Sequence, residues 1–364
     1  MYLASMKTLM KILIRTAQPS RRASCATILG IESSCDDTGA AVVNEAKEIL
    51  GEALHSQKQL HIDFGGIIPP FARELHRKHL PAVVDSALSA ARMTVSDVDA
   101  IAVTVKPGKH DAWKEIELKM KFPFLVLLVS GGHCILALVR GVTSFSILGS
   151  TLDDSPGEAL DKSARRMKLR NLPELSMLSG GEAIEKLAQQ GDPSAFQFPF
   201  PLGRARDCNF SFSGLKFYLL KTIRRLEEKQ KVEGDQLVPE LADLCASFQF
   251  TVMKHLCTRV QRGMGFLDLN DLMPKNERTL VVSGGVASNN FLRSALERVC
   301  NEYNYKLVCP PPRLCTDNGV MIAWNGVEKW IIGCDITHEF DSIVPEGRCV
   351  NKTTHVFELL WERN

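Results

Sequence analysis

Short runs of apolar and β-branched residues recur along the chain at Thr27–Ile31, Ala40–Val43, Ile101–Val105, Phe124–Val129, Ile135–Val139, Leu280–Val282 and Lys306–Cys309. Each is bounded by polar or glycine-containing positions and predicts a strand. Between them, His79–Met93, Gly180–Gln190, Leu215–Lys231, Leu237–Arg262 and Asn290–Tyr303 carry apolar residues at helical spacing. The alternation predicts an α/β protein.

Two stretches read as strand, polar turn, returning strand. The first turns around Cys35–Gly39 and the second lies within Phe124–Val139. The second is the longest apolar stretch, but Ser130, Gly131, Gly132 and His133 at its centre fit two strands and a tight turn rather than a membrane span. Two such hairpins, each followed by helical segments, predict a duplicated two-domain architecture with a cleft, the arrangement in which hairpin turns hold phosphates.

Composition narrows the class. With 364 residues, 45% hydrophobic and 24% charged, the chain has enough apolar material for two cored domains. The first thirty residues hold Lys7, Lys11, Arg15, Arg21 and Arg22 with several serines and no acid before Glu32, the composition of a mitochondrial transit peptide, although a plain basic tail shares it. Without them the body carries 39 basic against 42 acidic side chains, so global charge does not argue for nucleic acid. Eleven cysteines without a CxxC pair read as thiols rather than a disulfide framework.

Four segments hold candidate chemistry. Gly30–Gly39 (GIESSCDDTG) groups hydroxyls and acids in a turn. Leu128–His133 (LVSGGH) places two glycines where an apolar run ends, so that backbone N–H groups can face an anionic oxygen. Val282–Asn290 (VSGGVASNN) repeats the pattern before a helix start with Ser288 and Asn289 as candidate N-caps. The two SGG turns together predict opposite walls of one nucleotide cleft. In Cys309–Ala323 (CPPPRLCTDNGVMIA), Asp317 lies near a helix N-terminus, where a carboxylate caps or binds a cation. Asp161 in GEALDK and Glu185 in SGGEAIE could reach ribose hydroxyls, or could face solvent on helix surfaces.

The set GIESSCDDTG, LVSGGH, GEALDK, FSFSGLK, SGGVASN and PPPRLCTDNGVMIAWNG, spread over about Ile28 to Val344, resembles the tRNA adenosine threonylcarbamoyltransferase family in its mitochondrial branch. The resemblance implies an actin-like/sugar-kinase α/β fold of two domains, with residues 28–139 as a first domain truncated near 106–123, 140–344 as a second with inserted helices, 1–27 as a transit peptide and 345–364 as a divergent tail. It implies transfer of a threonylcarbamoyl group from threonylcarbamoyl-AMP to the exocyclic amine of the adenosine 3′ of the anticodon, with tRNA as partner, a homodimer, a mitochondrial location and no membrane. Leu128, Val129, Ser130, Gly131, Gly132, Asp161, Gly181, Glu185, Ser288, Asn289 and Thr316 match the family's adenylate-binding positions, and Asp317 its metal-binding aspartate.

One departure stands out. The family contributes a His-x-x-x-His pair to one divalent metal ion per subunit, from a segment between Lys106-Pro107-Gly108 and Phe122-Pro123-Phe124. Here that interval is only Lys109–Lys121 (KHDAWKEIELKMK), in which His110 has no histidine partner, so a weak or absent metal is expected. His76 and His79, at i and i+3, read as a solvated helix face rather than replacement ligands. The same holds for the basic groups Arg165, Arg166, Lys168 and Arg170, and Lys216, Lys221, Arg224 and Arg225, taken singly, although together they could form a phosphate-binding patch. Two alternatives share the motifs: an impaired adenylate- or tRNA-binding variant, and a small-molecule kinase. A metalloprotease lacks its HExxH.

Overall fold

The computed structural model describes residues 10–14, 25–64, 67–104 and 121–337. They form two compact units, one drawn from 10–104 and 316–337 and the other from 121–315. The boundary therefore differs from the expected 28–139 and 140–344. The hairpin 124–141 pairs with strands of the second unit, and the segment after 316 returns to the first, because parallel pairing joins strands far apart in sequence. Residues 345–364 and 105–120, His110 included, lie outside the described residues.

The first unit contains β1 (Met10–Ile14), β2 (Thr27–Glu32), β3 (Asp37–Asn44), β4 (Ile49–Ser56), α1 (Lys58–Asp63), α2 (Pro69–Ala90) and β5 (Ala100–Thr104). The second contains β6 (Phe124–Val129), β7 (Cys134–Gly141), β8 (Ser144–Ser150), α3 (Pro156–Arg166), α4 (Gly180–Ala188), α5 (Ser213–Gln230), α6 (Leu241–Leu269), β9 (Thr279–Ser283), α7 (Asn290–Tyr303) and β10 (Lys306–Val308). α8 (Gly319–Ile332) and β11 (Ile336–Thr337) complete the first unit.

Both sheets repeat one plan. In the first, β2–β3–β4 is an antiparallel meander with β5 parallel to β2; in the second, β6–β7–β8 is the meander with β9 parallel to β6. This duplication is the actin-like/sugar-kinase α/β architecture that the motifs imply. The plans part at the outer edge. β10 continues the second sheet parallel to β9, whereas in the first the place beside β5 is taken by β1, antiparallel, in register from Met10↔Thr104 to Ile14↔Ala100. A segment with a leader's composition thus covers a sheet edge that would otherwise present unpaired backbone groups.

The first sheet is covered on both faces, and β3 is buried along its whole length between α2 and α8. α8 lies so close that a Cβ on Gly30 would fall 2.0 Å from the Ala323 backbone nitrogen, which only glycine permits. α2 begins ten residues before the predicted start, because Pro69 and Pro70 pre-form its first turn, and it continues through Pro81. His76 on this helix is buried rather than solvated: its Nδ1 meets Thr38 Oγ1 at 2.7 Å and Gln57 Nε2 at 3.2 Å, and burial holds its pKa below the ordinary histidine value. His79 instead stacks on His55 at 3.7 Å. The two rings have different partners and do not converge as ligands.

The second unit is organised on α6, 29 residues long, whose Leu244, Phe248, Leu256 and Val260 join Leu127 and Leu136 of the sheet in one core. Fully buried Arg259 on this helix donates to the carbonyls of Pro201, Leu202, Ala205 and Asp207, satisfying a loop that has no strand partner. No helix of the described residues is long and apolar enough to cross a membrane.

Candidate adenylate site

The two SGG turns lie side by side in the second unit, which corrects the expectation of opposite walls. β6 and β9 are adjacent parallel strands, so Ser130–Gly132 and Ser283–Gly285 both emerge from their carboxyl ends. Ligands of open α/β sheets gather at that position. Gly284 has φ +98°, and a Cβ there would fall 2.3 Å from Val129 O; only glycine lets the turns approach so closely. Gly131, Gly132 and Gly285 have nothing within 4 Å of an added Cβ, leaving an open backbone floor.

The floor is stiffened from below. Ser130 Oγ accepts the N–H groups of Gly132 and His133 at 3.2 and 3.1 Å, so those two amides are already partly engaged rather than freely presented. Ser155, which the motif reading missed, caps α3 and donates to Gly131 O, while Gly157 donates to Ser130 O at 3.2 Å. The signal was present: Ser155-Pro156-Gly157-Glu158 is a helix start with an N-cap serine, proline at N1 and glutamate at N3. Leu128 is half-buried and Val129 fully buried in β6; Val129 reaches the turn only through its backbone carbonyl.

Three helix starts surround the floor. Asp161 on α3 keeps a solvent-exposed side yet lies against α4, its Oδ1 2.6 Å from where a Gly180 Cβ would sit. Crowding raises its carboxyl pKa, opposed by hydrogen bonds from the Gly181 and Gly180 backbone. Glu185 does not simply face solvent: its Oε1 accepts the Asn290 N–H at 2.7 Å and ties α4 to the first turn of α7. Asn289 is the α7 cap, accepting from Leu292 N at 2.9 Å and donating to Gln249 Oε1 at 3.2 Å, whereas Ser288 Oγ turns back to Gly285 O at 2.6 Å. The second unit therefore brings together Ser130, Gly131, Gly132, Asp161, Gly181, Glu185, Ser288 and Asn289. Thr316 and Asp317 belong to the first unit.

There the turn Ser33–Asp36 joins β2 to β3 and is shorter than predicted, since Asp37, Thr38 and Gly39 are already strand. Buried Glu32 holds it, accepting Ser34 N at 2.6 Å and Thr104 Oγ1 at 2.8 Å. Crowding by protein pushes the Cys35 thiol up to about 12, and the charges of Asp317 and Glu32 add to that, so the group stays protonated. Asn318, not Asp317, caps α8, accepting from Met321 N at 2.9 Å. Glu32 is engaged by Ser34 and Thr104, and among the described residues no three His, Cys, Asp or Glu side chains gather as a ligand set.

The FSFSGLK motif has a structural role. Burial would raise the Asp153 carboxyl, but donors from Ser211, Phe212 and Ser213 outweigh it and hold the group below its ordinary value. That carboxylate fixes the entry to α5. Of the basic groups, Arg166 and Lys168 pair with Glu227, and Lys216 with Asp154.

The model of tRNA N6-adenosine threonylcarbamoyltransferase matches the chain in two pieces, residues 48–112 and 109–324. The chain belongs to the tRNA N6-adenosine threonylcarbamoyltransferase family. The chain is similar to the human mitochondrial tRNA N6-adenosine threonylcarbamoyltransferase, 46% identical over 352 residues covering 88% of this chain and 85% of the human protein. It is also similar to the Ruegeria pomeroyi tRNA N6-adenosine threonylcarbamoyltransferase, 40% identical over 342 residues, with 84% and 90% covered. Among solved structures, the activator of the 2-hydroxyisocaproyl-CoA dehydratase from Clostridium difficile aligns with a TM-score of 0.44 at 10% identity, over 85% of this chain and 97% of that one. The break between the two matched pieces falls within the short interval Lys109–Lys121, where this chain departs from the family's motif order.

Proposed function

We propose that this chain binds threonylcarbamoyl-AMP through its adenylate on the floor made by Ser130–Gly132 and Ser283–Gly285, and passes the threonylcarbamoyl group to the N6 amine of the adenosine 3′ of the anticodon in mitochondrial tRNA. The observation that carries the reading is the pair of adjacent SGG turns at the ends of parallel strands, with Asp161, Glu185 and Asn289 at their rim. A backbone floor suits a phosphate, and the rim carboxylates suit ribose hydroxyls. In the transfer a bond forms between N6 and the carbamoyl carbon, the bond from that carbon to the phosphate oxygen breaks, AMP departs and the amine proton passes to water. The protein orients and stabilises; no side chain need act as nucleophile.

A second reading has its own support: adenylate and tRNA binding with impaired turnover. The histidine pair that the family resemblance implies has no counterpart in Lys109–Lys121, and among the described residues no three His, Cys, Asp or Glu side chains gather as a ligand set. We assign Asp317 as the remnant of that site, with metal binding weak. The apolar patch of Phe64, Ile67 and Phe71 at the α1–α2 junction supports a homodimer, and the relatives' names support a mitochondrial location.

AMP release from threonylcarbamoyl-AMP, with and without tRNA, separates the two. tRNA-dependent turnover supports the transferase; adenylate binding without it supports the impaired form. If neither adenylate nor tRNA binds, both readings fail.

A further inference from the structure

Ion pairs divide the basic side chains around α5 into two sets. Arg166 and Lys168 share an ion pair with Glu227, and Lys216 pairs with Asp154. Lys221, Arg224 and Arg225 are exposed on the outer face of α5, and none has an acidic partner among the described residues. One turn nearer the start of the helix, on the same face, stand Phe217, 61% exposed, and Tyr218, 45% exposed, their rings edge to face at 5.9 Å. A folded domain seldom leaves two adjacent aromatic rings in water beside unpaired cations without a partner for them. The spacing is helical throughout: 217, 218, 221, 224 and 225 occupy one stripe about 12 Å long at 1.5 Å per residue.

From this stripe we infer that the outer face of α5 is an RNA-docking surface, on which unpaired bases of the tRNA substrate stack against Phe217 and Tyr218 while Lys221, Arg224 and Arg225 hold the backbone phosphates. The inference rests on the transferase reading for the identity of the RNA and goes beyond it in placing the contact. Aromatic rings followed by cations are the chemistry of single-stranded nucleic-acid recognition, since every base has a face to stack and every linkage a charge to neutralise. An acidic protein segment would satisfy the cations but leaves two exposed aromatic rings unused. The local patch matters because the body of the chain is near neutral, so overall charge cannot supply the attraction. The helix is also a firm platform: Asp153 fixes its entry, and Leu215, Leu219, Ile223 and Leu226 bury the opposite face.

The test uses the full chain and an unmodified tRNA, with affinity measured by anisotropy at several salt concentrations. Replacing all three cations (Lys221→Glu, Arg224→Glu and Arg225→Glu) should weaken binding at least tenfold and lower the slope of log affinity against log salt by about 2, since each single-strand phosphate contact contributes about 0.7. Phe217→Ala with Tyr218→Ala should weaken binding about tenfold while leaving the salt slope unchanged, because stacking releases no counterions. A control, Arg298→Glu with Lys306→Glu on α7 and β10, should change neither. Circular dichroism and AMP binding report that each variant is folded. If the α5 variants bind tRNA as the parent does, the docking surface is wrong and the transferase reading stands. If the parent chain binds an acidic peptide and not tRNA, both are wrong.

Discussion

Glu185 accepts the backbone N–H of Asn290 at 2.7 Å, joining the α4 helix to the α7 start across 105 residues of sequence. The contact places a carboxylate and a helix N-terminus together beside the SGG turns, where one ligand can meet both. It also makes Glu185 part of the frame, so its removal has two measurable effects.

Glu185→Ala should lower the unfolding free energy by about 0.5–1.5 kcal/mol, the usual net value of one hydrogen bond, and weaken AMP binding. Glu185→Gln keeps an acceptor and should recover most of the stability. Chemical denaturation with AMP titration on both variants checks the split. Equal stability for all three proteins would show that the bond does not hold the helices.

The glycines separate in the same way. At Gly284, with φ +98° and Val129 O in the way, alanine should cost about 1–3 kcal/mol of stability. At Gly131, where an added methyl meets nothing, alanine should leave stability within about 0.5 kcal/mol and obstruct the ligand instead, weakening AMP binding roughly tenfold. Thermal melts and calorimetry distinguish the two behaviours, and the reverse assignment would remove the floor from the site.

His255 sets an acid limit on the second unit. It is fully buried among Phe200, Phe210 and Phe212, and its Nε2 accepts the Ser211 N–H at 3.2 Å, which requires a neutral ring. Burial lowers its pKa to about 3. The unfolded chain, with an ordinary histidine, binds the proton first, so stability is full above pH 6.5 and falls as pH drops from there toward 3, at up to about 1.4 kcal/mol per pH unit for this group. His255→Gln should flatten that part of the pH–stability curve relative to the parent.

The edge of the first sheet offers a further test. Because β1 lies along β5 from Thr104 to Ala100, deleting residues 1–24 should speed hydrogen exchange at the β5 amides that face β1 and leave those of β9 unchanged. Unaltered protection in β5 would mean that β1 does not guard the edge.

Some elements were legible to the residue. Phe124–Val129 is a continuous apolar run cut by Ser130-Gly131-Gly132, and Asn290–Tyr303 follows its own cap, Asn289, so local signals mark both ends. β4 and β8 were not, because polar residues interrupt both, as in GEALHS and SFS, and only their meander neighbours make them strands. β1 was hidden by a leader's basic composition. The site was legible as residues but not as an arrangement: nothing local in SGG at 130 or at 283 says that their strands are neighbours, since parallel pairing is a long-range choice. Glu185 shows the same limit, as its partner Asn290 lies on another helix.

The account proposes adenylate binding at the SGG floor and weak metal binding at Asp317, and paired calorimetric titrations test that most directly. AMP and a divalent zinc salt are titrated separately into the full chain, with Gly131→Ala and Asp317→Ala as the respective variants. The account predicts saturable AMP binding that Gly131→Ala weakens, and no tight one-to-one zinc binding that depends on Asp317. Tight zinc binding lost in Asp317→Ala, with no AMP binding, would contradict it.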